Sequence, residues 1–194
     1  MRNRQGYLTP EEVIAVLKAA KERSARDWAM VPVAYRHGMR ASEVCALRMD
    51  DVDLKRQAIT VRRLKGSLDT VQPLYPHRGV ALLDELAALR VHLRDREADG
   101  SDFLFVSQKG GRLHRGQFFR LFQAIAESAG LPAEKRHPHA LKHSLASHLV
   151  ASNVNLALVK QALGHRAISS TMVYVGTSDL QASEAAAEAM MAMY

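Results

Sequence analysis

The chain has 194 residues, of which 47% are hydrophobic and 24% are charged, and its formal net charge is +7. This length and composition suit one folded unit with a substantial core, and the positive charge favours nucleic acid or an anionic membrane surface as partner. However, no apolar run is long enough to span a membrane, and Met1–Gly6 does not lead into a signal peptide. The single cysteine, Cys45, excludes an internal disulfide and fits a reducing compartment. We therefore expect a soluble protein of the cytoplasm that has no membrane partner.

The first half of the chain predicts two helices followed by a small sheet. Thr9–Glu12 has the pattern of a capping box ahead of periodic apolar residues, which indicates a helix start. A second helix is predicted from Ala25 to about Arg36, with a kink at Pro32 and an end at Gly38. Residues 52–74 then form short β-prone runs separated by turn residues. These runs predict three antiparallel strands.

The second half of the chain predicts helices only. Apolar residues recur there every three or four positions, as on one face of a helix. The predicted helices are one through Leu82, Leu86, Leu89 and Leu93 that ends near Gly100, one that ends at Gly130, one that begins at Pro138, one over Leu156–Leu163, and an alanine-rich one over Ser178–Met193. We expect an α+β fold, mostly α-helical, with a small three-stranded antiparallel sheet in one domain over residues 1–194.

Arg40 and Glu43 are the first candidates for chemistry, because they lie three residues apart on one predicted helical turn. The planar guanidinium of Arg40 can hold two phosphate oxygens, and Glu43 could orient it. The alternative is a solvated surface ion pair, which is the usual role of such a pair. Lys65 lies at the apparent tip of a hairpin, where it is either a solvated turn residue or a general acid on a loop.

A second cluster of basic residues begins at His139. Lys142 lies three residues after His139, so both lie on one helical face near a helix N-terminus, where anions are favoured. His143 also lies one turn after His139, which leaves a two-histidine metal site open as an alternative, although no third ligand has a characteristic spacing. The third cluster pairs His165 with Tyr174, nine residues later. Together the three clusters describe a site that binds a phosphodiester and attacks it with a phenol.

These segments together resemble, in order, the signature motifs of the tyrosine recombinase (phage integrase) family. They are Gly38–Leu47, Lys65 in its hairpin, His139–His143, and Leu163–His165 followed by Tyr174. The resemblance covers the chain from about Leu8 to Tyr174. Within the family, Tyr35–Arg40 and Arg63–Lys65 most resemble the short fimbrial phase-switch invertases.

The resemblance implies a role for each candidate residue. Those that would surround the scissile phosphate are Arg40, His139, Lys142 and His165, with Lys65 as general acid, Tyr174 as nucleophile and Glu43 as an acidic support. The implied reaction on double-stranded DNA gives a 3′-phosphotyrosyl enzyme and a free 5′-hydroxyl. Because the covalent bond conserves the energy of the phosphodiester, no nucleotide cofactor and no metal are expected.

The resemblance also implies an assembly, a homotetramer on two DNA sites in which residues 177–194 are exchanged between subunits. Accessory DNA-bending proteins could order this synapse. Residues 1–194 would be the catalytic domain without the N-terminal core-binding or arm-binding domain of longer relatives. One departure from the family pattern is Lys142, since the second motif usually reads His-x-x-Arg.

The alternative function is DNA binding without catalysis. Leu145–Val173 could form a helix-turn-helix around residues 152–154, and the positive charge would serve a regulatory or architectural protein equally well. The lysine at position 142 fits a relative that no longer cleaves DNA. This alternative leaves the Arg40 segment and Tyr174 without a role.

Overall fold

A computed structural model describes residues 6–64, 68–96, 100–175, 187–188 and 190–191 of the chain. The helices are α1 (Pro10–Arg23), α2 (Ala25–Arg36), α3 (Ala41–Val44), α4 (Glu85–Asp95), α5 (Arg115–Ser128), α6 (His139–Ala151), α7 (Leu156–Leu163) and α8 (Ser169–Met172). The strands are β1 (Val52–Asp53), β2 (Ala58–Val61) and β3 (Thr70–Pro73). The expected mostly helical fold with three short antiparallel strands is therefore confirmed. The predicted turn at Gly66-Ser67 and most of the predicted helix Ser178–Met193 lie outside the described residues.

Helix α1 begins, and helix α2 begins and ends, where the sequence signals predict. The side chain of Thr9 accepts a hydrogen bond from the Glu12 backbone, and the Glu12 carboxylate accepts one from the Thr9 backbone at 2.8 Å. Helix α2 runs through Pro32 to Arg36, and the chain then turns at Gly38. Gly38 has a φ of +54°, and a Cβ atom there would lie 2.8 Å from a side-chain carbon of Leu163. Only glycine fits this turn.

Helix α4 starts later and ends earlier than predicted. Leu82 lies in a separate 3-10 turn, because Asp84 caps α4 by accepting a hydrogen bond from the backbone of Ala87 at 2.8 Å. After Asp95, the Arg96 side chain donates to the carbonyls of Ser101 and Phe103. These bonds hold the end of α4 against the segment that contains Ser101 and Phe103.

The sheet places alternate residues of β2 against the core. Strand β2 pairs with β1 on one side and with β3 on the other, both antiparallel. Ile59 and Val61 are fully buried, and Arg63, two positions further along the same face, is buried as well. The charged side chain of Arg63 thus faces the core on the same side of the strand as Ile59 and Val61.

The large core lies among helices α1 to α6 and the sheet, with Phe105, Phe118 and Phe122 as its largest fully buried side chains. A smaller cluster joins α6 to α7 through Ala146, Val159 and Leu163, and Tyr174 packs against its edge. No helix among the described residues is both long and apolar enough to cross a membrane.

The segment ahead of α1 is fixed to α6. The backbone N–H of Leu8 donates to the Ser144 hydroxyl at 2.8 Å, and a ring nitrogen of His148 bonds the Leu8 carbonyl at 2.9 Å. The other nitrogen of His148 bonds the Tyr35 hydroxyl at 2.8 Å. Because Leu8 is fully buried, these bonds hold the start of α1 against the helix that carries His139.

Candidate active site

Arg40 and Glu43 form part of a buried network. The Glu43 carboxylate accepts bonds from the Arg40 backbone (2.8 Å), from the Arg40 guanidinium (2.7 Å), from the Arg63 guanidinium (3.2 Å) and from the Leu64 backbone (3.2 Å). Burial raises the pKa of Glu43, but the bonds from Arg40 and the charge of Arg63 outweigh it and bring the pKa below its usual value. The Glu43 side chain has no exposed surface, whereas 29% of the Arg40 side chain remains exposed. The pair is therefore not a solvated ion pair, and Glu43 orients Arg40.

His139 and His143 lie one turn apart at the start of α6. Their rings meet edge to face with centroids 4.2 Å apart. His139 keeps solvent exposure, and its pKa is lowered by partial burial and then by the neighbouring His143, His137, Lys142 and Arg40. Among the residues the structure describes, no group of three or more His, Cys, Asp or Glu side chains could hold a metal ion.

Lys142 points into the protein. Its Nζ donates to the carbonyl of Gly38 at 2.7 Å and to that of Leu163 at 3.0 Å. Burial, followed by the charge of Arg63, lowers the pKa of Lys142 to about 7. The ammonium thus contacts two backbone carbonyls, each two residues ahead of a candidate residue, Arg40 or His165.

His165 follows the left-handed Gly164, which ends α7 with a φ of +67°. The His165 ring is buried, and its Nδ1 lies 3.0 Å from the hydroxyl of Thr171. Burial, followed by the charges of Lys142 and Arg40, lowers the pKa of His165 to about 4. The imidazole is therefore neutral at pH 7, and its Nε2 is the nitrogen left to contact a substrate.

Tyr174 lies just after α8 and is half-buried. Its ring packs against His143 with centroids 5.4 Å apart, and both side chains line a cavity of about 400 Å³ together with Tyr7 and Ser147. Burial raises the pKa of the Tyr174 phenol, while the charge of Arg40 opposes this shift. The nucleophile candidate is therefore protonated at rest and within electrostatic reach of Arg40.

The charge of Arg40 connects the candidate residues. It acts on the pKa of each of the other four described candidates, which are His139, Lys142, His165 and Tyr174. With Arg40 these residues come from four separate segments, and the fold brings them within electrostatic range of Arg40. Lys65 lies outside the described residues. Its described neighbours are held at the site, because Leu64 donates to Glu43 and the Leu68 backbone donates to the Gly164 carbonyl at 3.2 Å.

Sequence reasoning missed two residues that support this site, Arg63 and Thr171. Arg63 reads as part of a basic turn, although the alternation from Ile59 through Val61 could have placed it on the inward face. Thr171 carried no such signal, because its contact with His165 depends on the turn between α7 and α8.

Comparison with known proteins gives a family model and several relatives that agree with one another. A family model described as the phage integrase family matches residues 6–180. Type 1 fimbriae regulatory protein FimB of Escherichia coli K12 is 34% identical over 177 residues, which cover 90% of this chain and 86% of FimB. Its counterpart FimE of the same strain is 35% identical over 182 residues, with 91% and 88% covered. Tyrosine recombinase XerA of Thermococcus kodakarensis is 35% identical over 170 residues, which cover 86% of this chain but 56% of XerA.

Solved structures share the fold. A crystal structure of XerA recombinase matches with a TM-score of 0.76 at 28% identity, and the match covers 94% of this chain and 64% of that one. XerH recombinase bound to its difH substrate matches with a TM-score of 0.75 at 26% identity, covering 93% of this chain and 53% of XerH. The chain thus spans between half and two thirds of these solved recombinases. Since the family model covers most of the sequence and FimB and FimE align with nearly all of it, the chain belongs to the phage integrase family.

Proposed function

We propose that this protein, a tyrosine-type site-specific recombinase, cleaves and rejoins DNA strands with Tyr174 as its nucleophile. The observation that carries the proposal is the position of Arg40, whose charge acts on His139, on His165 and on the Tyr174 phenol. A phosphodiester is anionic, and attack on it adds charge to the non-bridging oxygens. Cationic and neutral donors from several fixed segments are the arrangement that this transition state requires.

The reaction balances without a cofactor. The Tyr174 oxygen bonds to phosphorus and loses its proton, the bond from phosphorus to the 5′ oxygen breaks, and that oxygen takes up a proton. The products are a 3′-phosphotyrosyl enzyme and a 5′-hydroxyl, and attack by a 5′-hydroxyl reverses the steps. Lys65 is proposed to supply the proton to the leaving oxygen, because the residues on both sides of its loop are bonded to the site.

The remaining candidates bind or support the phosphate. Arg40 offers a planar guanidinium that can donate to two phosphate oxygens, and His139 and His165 offer neutral ring nitrogens. Lys142 adds positive charge from the protein interior behind them. Glu43 acts through Arg40. Losing one such donor typically slows this kind of reaction by about a hundredfold to a thousandfold.

The proposed substrate is double-stranded DNA. XerH, a structural neighbour, was solved on its difH DNA in a pre-cleavage complex. The net charge of +7 supports binding to a polyanion here as well. Since the substrate is DNA, the protein would act in the cytoplasm.

The proposed assembly is a homotetramer on two DNA sites, with residues 177–194 of each subunit exchanged to a neighbour, and with accessory DNA-bending proteins as further partners. Small and methionine side chains in this segment suit an apolar acceptor. Between α1, α6 and β3 lies a groove of about 460 Å³, whose apolar lining includes Val13, Ile14, Leu145 and Leu149. Truncation after Gly176 should leave DNA binding by single subunits and abolish synapsis, as native gels with one and two labelled sites would report. Unchanged synapsis would refute the exchange.

A suicide substrate tests the proposed chemistry. It is nicked so that the released strand diffuses away, which traps the covalent complex for detection on a denaturing gel. Tyr174→Phe should bind DNA as the parent does and form no adduct. Tyr75→Phe is the matched control and should form the adduct normally, because Tyr75 is exposed in the α1–α6–β3 groove and phenylalanine keeps the ring there. An adduct that persists in Tyr174→Phe would show that another residue attacks.

DNA binding without cleavage remains the second candidate function. The observation that favours it is the buried ammonium of Lys142, which contacts backbone carbonyls where the family has an arginine. The same assay separates the two functions. A parental protein that binds the nicked DNA and never forms an adduct would be a binding protein.

A further inference from the structure

Arg63 is a buried cation at the centre of the fold. It extends from the end of β2, and its side chain has no exposed surface. One guanidinium nitrogen donates to the carbonyls of His37 (2.7 Å) and Ala162 (2.9 Å). The other donates to the carbonyl of Gly38 (2.9 Å) and to the carboxylate of Glu43 (3.2 Å). A single planar group therefore joins three segments of the chain, which are the end of β2, residues 37–43 and the end of α7.

Two of these segments present candidate catalytic residues. Gly38 precedes Arg40 by two residues, and Ala162 precedes His165 by three. The guanidinium of Arg63 thus sets the distance between the turn that carries Arg40 and the end of α7, beyond which His165 lies. The ammonium of Lys142 bonds the same two segments, and Arg63 adds a bond to the Glu43 carboxylate that orients Arg40.

The turn before His165 is shaped around this guanidinium. Gly164 has a φ of +67°, and a Cβ atom at that position would lie 2.8 Å from the Nε of Arg63. Any larger residue would therefore collide with Arg63 as well as strain the backbone. Arg63 and Gly164 together determine the backbone position of His165.

Burying this cation is costly. Burial lowers the pKa of Arg63 from its usual value, and the Nε atom has no hydrogen-bond partner among the described atoms. Apolar residues of similar volume often replace buried ion pairs without loss of stability. Stability alone is therefore a poor reason for an arginine here, whereas a planar group that bonds three segments fixes their relative positions.

We propose that Arg63 is a positioning residue for DNA cleavage, one that holds Arg40 and His165 at the spacing needed to contact the same phosphate. The proposal rests on the proposed function, because it concerns the geometry of that reaction. Arg63 acts through the other two residues and does not touch the substrate.

The experiment compares Arg63→Met with Arg62→Met in the full chain. Arg62 is the exposed neighbour on the opposite face and pairs with the buried Asp51 at 2.9 Å, so its variant also removes one arginine and one ion pair. Single-turnover cleavage of the suicide substrate is measured at saturating DNA, with DNA affinity and thermal unfolding measured in parallel. Arg63→Met should lower the cleavage rate by about a hundredfold and change affinity by less than about threefold, because misplacing a catalytic group acts on the chemical step. Arg62→Met should retain the parental rate.

A double-mutant cycle separates positioning from general damage. If Arg63 acts through His165, then Arg63→Met should cost far less in a His165→Ala background than in the parent. Equal costs in both backgrounds, a parental rate in Arg63→Met, or a loss confined to affinity would overturn the proposal.

Arg63→Lys covers the case in which the methionine variant does not fold. Lysine can reach some of the carbonyls but lacks the fork, so a folded Arg63→Lys with intermediate cleavage supports positioning. Failure of both variants to fold would show that the arginine is purely structural. A parental protein without any adduct would instead refute the proposed function, so the two failures are distinguishable.

Discussion

The Nδ1 atom of His165 lies 3.0 Å from the hydroxyl of Thr171, and both side chains are buried. This hydrogen bond closes the turn between α7 and α8 and sets the orientation of the imidazole. Tyr174 follows Thr171 by three residues, so the same bond also restrains the backbone that leads to the nucleophile.

Thr171→Val should therefore impair cleavage while leaving DNA binding intact. Valine keeps the shape of threonine and removes the hydroxyl, which frees the His165 ring to rotate. We expect single-turnover cleavage to fall by about tenfold to a hundredfold, the scale of a misplaced catalytic group. Thr171→Ser should retain activity because it keeps the hydroxyl, and Ser170→Ala controls for a change at an exposed neighbour. Parental cleavage by Thr171→Val would mean that other contacts orient the ring.

The role of Lys142 can be tested by pH, because its pKa of about 7 lies far below the usual lysine value of 10.5. Below pH 7 the side chain is a cation, and above it is a neutral amine. The neutral amine still has two N–H groups for the carbonyls of Gly38 and Leu163, so bridging survives the loss of the proton. Only a contribution of charge to the phosphate would disappear.

If the charge matters, kcat/KM of the parent should fall relative to Lys142→Arg as the pH rises, by about fivefold over the first pH unit above 7. Arginine stays protonated throughout, so the ratio of the two proteins removes other titrations. A ratio that stays flat from about pH 6 to about pH 9 would show that Lys142 serves as a bridge between segments.

The buried His165 should make the protein sensitive to mild acid. Its pKa of about 4 in the folded protein is below its ordinary value of 6.5, so the unfolded chain binds more protons between these values. Stability should then decrease as the pH falls from about 6.5 to about 4. His165→Asn removes this contribution, so its Tm should decrease less over that range. Identical slopes for parent and His165→Asn would contradict the low pKa.

Lys65 is predicted to protonate the leaving 5′ oxygen. Lys65→Ala should nearly abolish cleavage of ordinary DNA but cleave a substrate with a 5′-bridging sulfur, because a thiolate leaves without a proton. The control is Tyr174→Phe, which the sulfur substrate should not rescue. If the folded Lys65→Ala protein stays inactive on both substrates, another group is the acid.

The sequence predicted those parts of the fold that depend on local rules. Thr9 and Glu12 cap α1 as expected, and Gly38 and Gly164 end their helices with the backbone conformation that glycine allows. Burial of charged residues was harder to predict, because it depends on partners that are distant in sequence. Arg63 is buried since carbonyls from positions 37, 38 and 162 meet it, and no local pattern contains them.

The same limit applied within the site. Spacing could place His139 and Lys142 on one helix, and it did so correctly. It could not show that Lys142 turns inward toward Gly38 and Leu163, because that direction follows from how α6 packs against α2 and α7. Motifs could group the candidate residues, whereas the direction of each side chain required the folded structure.

The bonds that Leu8 makes to Ser144 and His148 have a practical consequence for anyone who joins another protein to this one. A module fused ahead of Gly6 would enter through an irregular segment that is bonded directly to α6, the helix that supplies His139. Tension or torque from that module would be transmitted to the histidine within a few residues. Targeting modules added at this end therefore need a long, flexible linker of glycine and serine, so that their movement does not disturb the position of His139.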